Sequence, residues 1–166
     1  MYPEVSNSKQ HIMKTIETAI NGSEEISSLI NDETRALSLF YKAFNNRLME
    51  LMERSWLNTE EISMDNPIGG IRRGWSAIAE GYDRIFNGKA KVYVEFYYYT
   101  IHQTENMFFA TGRERGTFRT DSETIELAIR TTRIFIKLEG AWRQIHHHGS
   151  IDEPALLERY QKAVRK

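Results

Sequence analysis

Four β-rich segments follow one another in the second half of the chain, and they constrain its fold more than any other feature. They cover residues 92–102, 107–119, 125–138 and 142–150, and the first is rich in Val, Tyr and Phe, which favour strands. The connections between them are short, and one contains the turn Glu139-Gly140. Consecutive strands with short connections pair as an antiparallel meander. The sequence therefore predicts a sheet of four long antiparallel strands.

Two details predict that this sheet is bent. Gly112 and Gly116 interrupt the second segment and indicate bulges or sharp bends. In the third segment the apolar residues move from odd positions, as at Ile129, to even positions, as at Ile134. Because alternate residues of a strand point to opposite faces, this change of phase predicts a bulge near residues 130–133.

The rest of the chain has helical periodicity, with apolar residues three and four positions apart. Capping and stop residues such as Ser23 and Asn87-Gly88 delimit the segments. The predicted elements are a short amphipathic helix over 9–20, a helix over 24–44, a short helix over 48–54, a weak strand over 56–64, a helix over 75–86 and a C-terminal helix over 154–166. Helices followed by an antiparallel meander define an α+β fold.

The length of the chain suits one domain with one core, since it has 166 residues of which 40% are hydrophobic. We predict an N-terminal extension with a short helix over residues 1–23. The main α+β domain then covers 24–151, and a C-terminal helix covers 152–166.

Composition and charge exclude several classes of protein. The net charge of −1 argues against general nucleic-acid binding, and no apolar run approaches the roughly 20 residues of a membrane span. The N-terminus lacks the basic and apolar regions of a signal peptide. Cysteine is absent, which rules out disulfides and thiol chemistry. The sequence therefore predicts a cytoplasmic protein that binds neither nucleic acid nor a membrane.

Several short motifs carry a resemblance to a known superfamily. They are Asn66-Pro67…Gly69…Gly74-Trp75 before the helix over 75–86, Thr132-Arg133-Ile134-Phe135 in the third strand, and Gly140-Ala141-Trp142 followed by His146-His147-His148 and Ser150 in the fourth. Residues 24–151 thereby resemble the SnoaL-like branch of the nuclear transport factor 2-like superfamily. They are also similar to the association domain of calcium/calmodulin-dependent protein kinase II.

The resemblance implies a cone-like domain, in which a curved antiparallel sheet wraps against N-terminal helices and leaves a pocket open at one end. It also implies a homodimer or larger assembly through the outer face of the sheet. The superfamily includes isomerases, dehydratases, epoxide hydrolases and polyketide cyclases as well as domains without chemistry. The fold by itself therefore does not determine a reaction.

The three consecutive histidines of the fourth strand suggest a metal site at first sight. Alternation along a strand separates His147 from His146 and His148, and no cysteine or obvious carboxylate partner lies near them in sequence. We therefore expect no metal, and we assign His146 and His148 to the outer face as structural residues.

The resemblance implies that Arg133 lines the pocket and that Gly149 replaces a second pocket arginine. His147 shares the phase of Gly149 and is the predicted pocket histidine.

Five further residues complete the candidate site. A carboxylate buried among aromatic rings has a raised pKa and can move protons near neutral pH, which makes Glu95 a candidate general base. The alternative for Glu95 is an exposed side chain paired with arginines of the next strand. Tyr97 and Tyr99 share the phase of Glu95. Tyr41 lies on the predicted long helix, where either its hydroxyl points into the pocket or its ring simply packs there. Trp75 is assigned to the ligand-binding set, with packing in the core as its alternative.

These residues support two main functional hypotheses. The first is a domain that binds a small molecule in a pocket lined by Tyr, Arg and His and suited to an anionic or aromatic ligand. The second is a cofactor-free lyase or isomerase in which His147 or Glu95 moves a proton and Arg133 or a tyrosine hydroxyl stabilises the oxyanion. An oligomerisation module without a ligand is a third. We expect no cofactor for any of them.

Overall fold

Most helices and strands lie where the periodicity of the sequence predicts them. The computed structural model describes residues 14–24 and 31–165 and contains four helices and six strands within them. The helices are α1 (Asp32–Asn45), α2 (Met49–Ser55), α3 (Gly74–Phe86) and α4 (Pro154–Val164). The strands are β1 (Ser63–Asp65), β2 (Ile71–Arg73), β3 (Lys91–Gln103), β4 (Met107–Arg119), β5 (Thr124–Leu138) and β6 (Ala141–Ser150).

The six strands form one curved, unclosed sheet in the order β2-β1-β6-β5-β4-β3. The strands β3 to β6 pair antiparallel in chain order, so the predicted meander and the α+β fold class are confirmed. The short strand β1 pairs parallel to β6 and antiparallel to β2. The helices pack on one face of the sheet, called the inner face below, and the opposite face is called the outer face.

The helix α1 shows why these residues form a helix and how it covers the sheet. The Asn31 side chain caps its first turn by accepting a hydrogen bond of 2.8 Å from the Thr34 amide. Its buried residues include Ala36, Leu37, Phe40, Tyr41 and Ala43, whose spacing of three and four gives one apolar stripe. The Tyr41 ring stacks on Phe96 of β3, with 5.8 Å between ring centroids. This contact anchors α1 to the inner face.

The change of apolar phase in the third long strand does not mark a bulge in that strand, so this prediction is wrong. On β5 the buried residues stay on odd positions from Ile125 to Phe135. The irregularity lies on β6, where Gln144 pairs with Phe135 and His146 pairs with Ile134, which leaves Ile145 as an extra residue. The bulge moves the inner face of β6 from even to odd positions.

The two glycines of β4 do not interrupt that strand. The register of β4 with β5 is continuous, and the register shift with β3 lies between Tyr97 and Thr100, opposite Gly112. The extra residue is Tyr98, whose φ of 49° is in the left-handed region. The bulge therefore forms on the strand next to the glycines. It separates Tyr97 from Tyr99, which the sequence places in the same phase.

The predicted helix over 9–20 is wrong for the residues that are described. Residues 14–24 contain no helix, and Ile16 and Ile20 instead pair with Tyr99 and Phe96 at the edge of β3. The backbone N–O distances from Ile16 to Tyr99 and from Ile20 to Phe96 are both 2.8 Å. The residues before Lys14, and residues 25–30 at the start of the predicted long helix, lie outside the described part.

The predicted strand over 56–64 is reduced to its last residues, because β1 covers only Ser63–Asp65. A turn closed by the hydrogen bond from the Asn66 amide to the Gly70 carbonyl connects β1 to β2. The sequence does not predict the strand β2. The helix α4 follows β6 closely and has Pro154 in its first turn. Among the described residues no helix is long and apolar enough to cross a membrane.

Candidate functional site

A cavity of about 830 Å³ lies between the helices and the inner face of the sheet. Its apolar walls include Phe40 and Phe44 of α1, Tyr82 of α3, Leu127 and Ile129 of β5, and Tyr160 of α4. Three polar side chains from neighbouring strands also line it: Glu114, Arg133 and His147. The solvent-exposed lining residues Arg84, Lys89 and Asp121 mark its opening. The cavity is therefore mostly apolar, with a few polar groups placed inside it.

A buried cluster around Arg133 forms the polar part of this wall. The Arg133 guanidinium donates hydrogen bonds from Nη2 to Glu114 Oε1 (2.8 Å), from Nε to Tyr41 Oη (3.0 Å) and from Nη1 to Gln144 Oε1 (2.9 Å). The Tyr41 hydroxyl also donates to Glu114 Oε1, at 2.6 Å. Adjacent strands β4, β5 and β6 supply three of these residues and α1 supplies the fourth. The arginine is thus held in one orientation by three hydrogen-bond partners.

The charges of this cluster cancel locally. Burial opposes the charge of Arg133, but its interactions with Tyr41 and Glu114 outweigh burial and raise the pKa of Arg133. Burial raises the pKa of Tyr41, so its hydroxyl remains a neutral donor. The guanidinium carbon of Arg133 also lies 3.6 Å from the ring centroid of Phe40, a cation–π contact. Arg133 is therefore compensated by the protein itself and does not require an anionic ligand.

Several buried polar groups of the described residues have no hydrogen-bond partner, and the His147 imidazole is one that lies on the cavity wall. The residue is only 6% exposed, yet neither Nδ1 nor Nε2 has a hydrogen-bond partner among the described residues. Burial, followed by the nearby charge of Arg133, lowers the pKa of His147 well below its ordinary value. The ring is therefore neutral and offers one N–H donor and one nitrogen acceptor. Buried polar groups without partners are uncommon and call for a functional explanation.

Tyr82 adds a second unsatisfied group to the same cavity. Its hydroxyl is buried and makes no hydrogen bond of good geometry among the described residues, although the Trp56 and Arg133 side chains lie close enough to counter part of the effect of burial on its pKa. Burial raises the pKa of Tyr82, so the hydroxyl keeps its proton. A helix residue and a strand residue thus each present an unpaired neutral polar group at the cavity.

The structure places only two of the sequence-predicted site residues on the cavity wall, Arg133 and His147. Tyr41 is fully buried and supports Arg133 and Glu114 from behind rather than lining the cavity. Tyr99 is also buried and stacks on Phe96, with 4.9 Å between ring centroids.

Glu95, Tyr97 and Trp75 do not contribute to the cavity. Glu95 forms an ion pair with Arg115, which corresponds to the alternative considered from the sequence. The same guanidinium covers the Tyr97 ring, at 4.4 Å from its centroid, on the outer face. Trp75 packs against the apolar core at the start of α3. Glu95 and Tyr97 miss the cavity because the odd-numbered residues of β3 before the bulge at Tyr98 point to the outer face.

The sequence does not single out Glu114 as a site residue, because Glu114 lies between Arg113 and Arg115 and such a charged segment is typical of a solvent-exposed surface. Its phase carried a usable signal. Glu114 shares even positions with Phe108, Ala110 and Phe118, all buried on the inner face. A carboxylate in the buried phase of a strand requires a cationic or hydrogen-bonding partner, and Arg133 on the neighbouring strand provides one.

An open cavity between helices and the inner face of a curved, unclosed sheet defines this chain as a protein of the nuclear transport factor 2-like fold. The model of the SnoaL-like domain matches residues 34–153. The chain therefore belongs to the SnoaL-like family, and the resemblance noted in the sequence is confirmed. No curated protein matches the chain.

Solved structures share the fold at low sequence identity. A proposed dehydratase of the nuclear transport factor 2-like family from Streptomyces avermitilis has a TM-score of 0.64 and 18% identity, over 72% of this chain and 92% of its own. A proposed ketosteroid isomerase from Shewanella frigidimarina has a TM-score of 0.59 and 15% identity, over 74% and 98%. A proposed calcium/calmodulin-dependent protein kinase type II association domain from Thiobacillus denitrificans has a TM-score of 0.58 and 22% identity, over 73% of this chain and 94% of its own. At these identities the likeness shows the fold alone.

Proposed function

We propose that this chain is a small-molecule-binding domain whose cavity takes a mostly apolar, ring-containing ligand with one neutral polar group. The observation that supports the proposal most strongly is the unpaired imidazole of His147 on the wall of a mostly apolar cavity, which the Tyr82 hydroxyl also lines. A ligand carbonyl or hydroxyl would satisfy the donor or acceptor of the neutral imidazole. The unpaired groups thereby become specificity-determining contacts.

The size and lining of the cavity agree with such a ligand. Ligand pockets usually enclose about 300–1,000 Å³ and combine apolar walls with a few placed polar groups. The aromatic rings of Phe40, Phe44 and Tyr82 provide surfaces for a planar ring. An anionic ligand, which the sequence also suggested, is less well matched because Glu114 already neutralises Arg133. A neutral ligand avoids bringing an uncompensated charge into an apolar space.

The proposal predicts that the cavity discriminates ligands by one oxygen atom. Cyclic ketones and phenols are expected to bind about tenfold more tightly than hydrocarbons of the same shape, since a hydrogen bond to a buried group is worth about 1 kcal/mol or more. His147→Leu is expected to remove most of this preference while keeping hydrocarbon binding. Calorimetric titration of wild type and variant with matched ligand pairs measures the difference.

Two controls complete this experiment. His102→Leu changes a histidine that stacks on Phe109 away from the cavity, and should leave the preference for oxygenated ligands intact. The variant at position 147 should unfold no more easily than wild type, because leucine replaces a buried polar group that lacks partners. Equal affinity of wild type for both members of each pair would contradict the proposal. Tighter binding of carboxylates than of neutral analogues would favour the anionic ligand instead.

A second candidate function is a cofactor-free isomerase or lyase, and the geometry of Glu114 favours it. Both hydrogen bonds to this carboxylate go to Oε1, so among the described residues Oε2 accepts none. A fixed carboxylate with a free oxygen in an apolar cavity can take a proton from a carbon next to a carbonyl. His147 or Tyr82 would donate a hydrogen bond to the developing oxyanion.

Deuterium exchange separates this second candidate from binding alone. If Glu114 acts as a base, a bound ketone will exchange its adjacent C–H for deuterium in heavy water faster than the free ketone does. Glu114→Gln keeps the shape of the side chain and is expected to abolish the acceleration while ligand binding persists. If ligands that bind to wild type exchange only at the uncatalysed rate, the isomerase or lyase function is excluded and the binding function remains.

A further inference from the structure

We propose that Asp65, His146 and His148 form a binding site for a divalent transition-metal ion of the zinc type on the outer face of the sheet. One ligand-capable atom from each of these side chains lies within 4.8 Å of those of the other two. The group lies on the opposite side of the sheet from the cavity and shares no residue with it. The inference is therefore independent of the proposed function.

Strand pairing brings these three residues together. In the parallel register of β1 and β6, Asp65 is paired with His148 and Ser63 with His146. Since alternate residues of a strand share a face, Asp65, His146 and His148 all point outward. The residues between them, Met64 and His147, are buried on the inner face. The site depends on a contact between positions 83 residues apart in sequence.

The geometry is close to what a metal ion requires. Zinc binds imidazole nitrogens and carboxylate oxygens at about 2.0–2.2 Å, so ligand atoms in a tetrahedral site lie roughly 3.4 Å apart. The present separations of up to 4.8 Å need only small side-chain rotations to close. The side chains have room for this, because that of His148 is 51% exposed and that of Asp65 is 27% exposed.

The hydrogen bonds around the site suit metal binding. The Ser63 hydroxyl lies 2.8 Å from Nδ1 of His146, an interaction that orients the ring and leaves Nε2 available. Nδ1 of His148 lies 2.8 Å from Asp65 Oδ2, so these two ligands already meet across the strand pair. A metal ion would replace the proton that they share.

The donor set indicates the class of metal. Two imidazoles and one carboxylate suit zinc and the neighbouring transition metals, whereas calcium and magnesium prefer oxygen ligands. Three protein ligands leave one tetrahedral position for water or another small ligand. A shallow outer hollow lined by His148, Thr132 and Ser150 lies beside the site, so that position faces solvent. The site thus resembles an accessible metal centre more than a closed structural one.

Titration with zinc tests the proposal on the full chain prepared without a polyhistidine tag. Calorimetry is expected to give one ion per chain, and cobalt is expected to give the visible absorption of a four-coordinate site. Asp65→Asn, His146→Ala and His148→Ala should each weaken zinc binding at least tenfold. Asp65→Asn keeps the size and shape of the side chain, so it remains informative if a histidine variant unfolds.

Two histidines outside the site provide matched controls. His102→Ala removes a described histidine from another strand, and His11→Ala removes one that lies outside the described residues. Neither change should weaken zinc binding. The proposal is overturned if wild type binds no zinc, if the three site variants bind as tightly as wild type, or if a change at 11 or 102 abolishes binding instead. Thermal unfolding without metal checks that each variant is folded.

Discussion

Replacing Arg133 by methionine is expected to lower the free energy of unfolding by about 3–5 kcal/mol, because the change leaves a buried carboxylate uncompensated. Arg133 is 1% exposed and pairs with Glu114, which is 4% exposed. The substitution also removes the donors to Tyr41 and Gln144. Urea-induced unfolding followed by circular dichroism measures the loss as a shift of the transition midpoint.

A second variant identifies the cause of that loss. Arg133→Met combined with Glu114→Gln removes both charges, so the double variant should recover a substantial part of the stability that the single variant loses. Arg115→Met is the matched control, since its guanidinium pairs with Glu95 at the surface and its loss should cost far less than the loss of Arg133. Equal losses at Arg133 and Arg115 would contradict the assignment of Arg133 to a buried pair.

Gly116→Ala is expected to destabilise the fold by about 3 kcal/mol or more, because the added methyl group has no space. A Cβ atom at Gly116 would lie 1.8 Å from the carbonyl oxygen of Tyr93 and 2.8 Å from the Cα of Val94. Both contacts are with the backbone of β3, which cannot move aside without breaking its pairing with β4. Thermal or urea unfolding of the variant measures the effect.

Gly70→Ala is the matched control for the glycine. Gly70 has a φ of +85°, and a Cβ atom there would meet nothing within 4 Å. The cost of alanine at this position is therefore conformational only, about 1–2 kcal/mol. If Gly116→Ala costs no more than Gly70→Ala, then the close approach of β3 and β4 at Gly116 is not a constraint on the fold.

Most of the fold is predictable because hydrophobic periodicity is a local property. The long strands β3 to β6 match the predicted segments to within one residue at every end, since alternation and β-branched residues persist along each strand. The bulges are harder to place because the sequence shows only that two phases conflict. On β5 the even-numbered residues Ile134 and Ile136 are half-buried on the outer face, so their apolar character imitates a change of phase.

The polar part of the site was only half predictable. Arg133 and His147 follow from the resemblance and from the alternation of β6. Glu95 was the candidate base because aromatic residues surround it in sequence, yet burial depends on which face the strand presents. The bulge at Tyr98 and the pairing of Glu114 with Arg133 belong to the tertiary structure.

The proposed metal site could not be predicted by the same reasoning. The sequence shows no obvious carboxylate partner close to His146 and His148 in the chain. Asp65 instead reaches them through the parallel pairing of β1 with β6. A three-residue strand of this kind gives almost no periodic signal, because alternation needs at least four or five positions to be recognised.

The mutual neutralisation of Arg133 and Glu114 affects how a ligand would reach the cavity. A close ion pair produces a dipolar field that fades with distance much faster than that of a single charge, and His147 adds no charge because its pKa is depressed. Dissolved salt therefore has little to screen at this wall. Encounter with a neutral ligand would be governed by diffusion and shape, and its affinity should be nearly constant across ionic strengths that weaken electrostatically steered association.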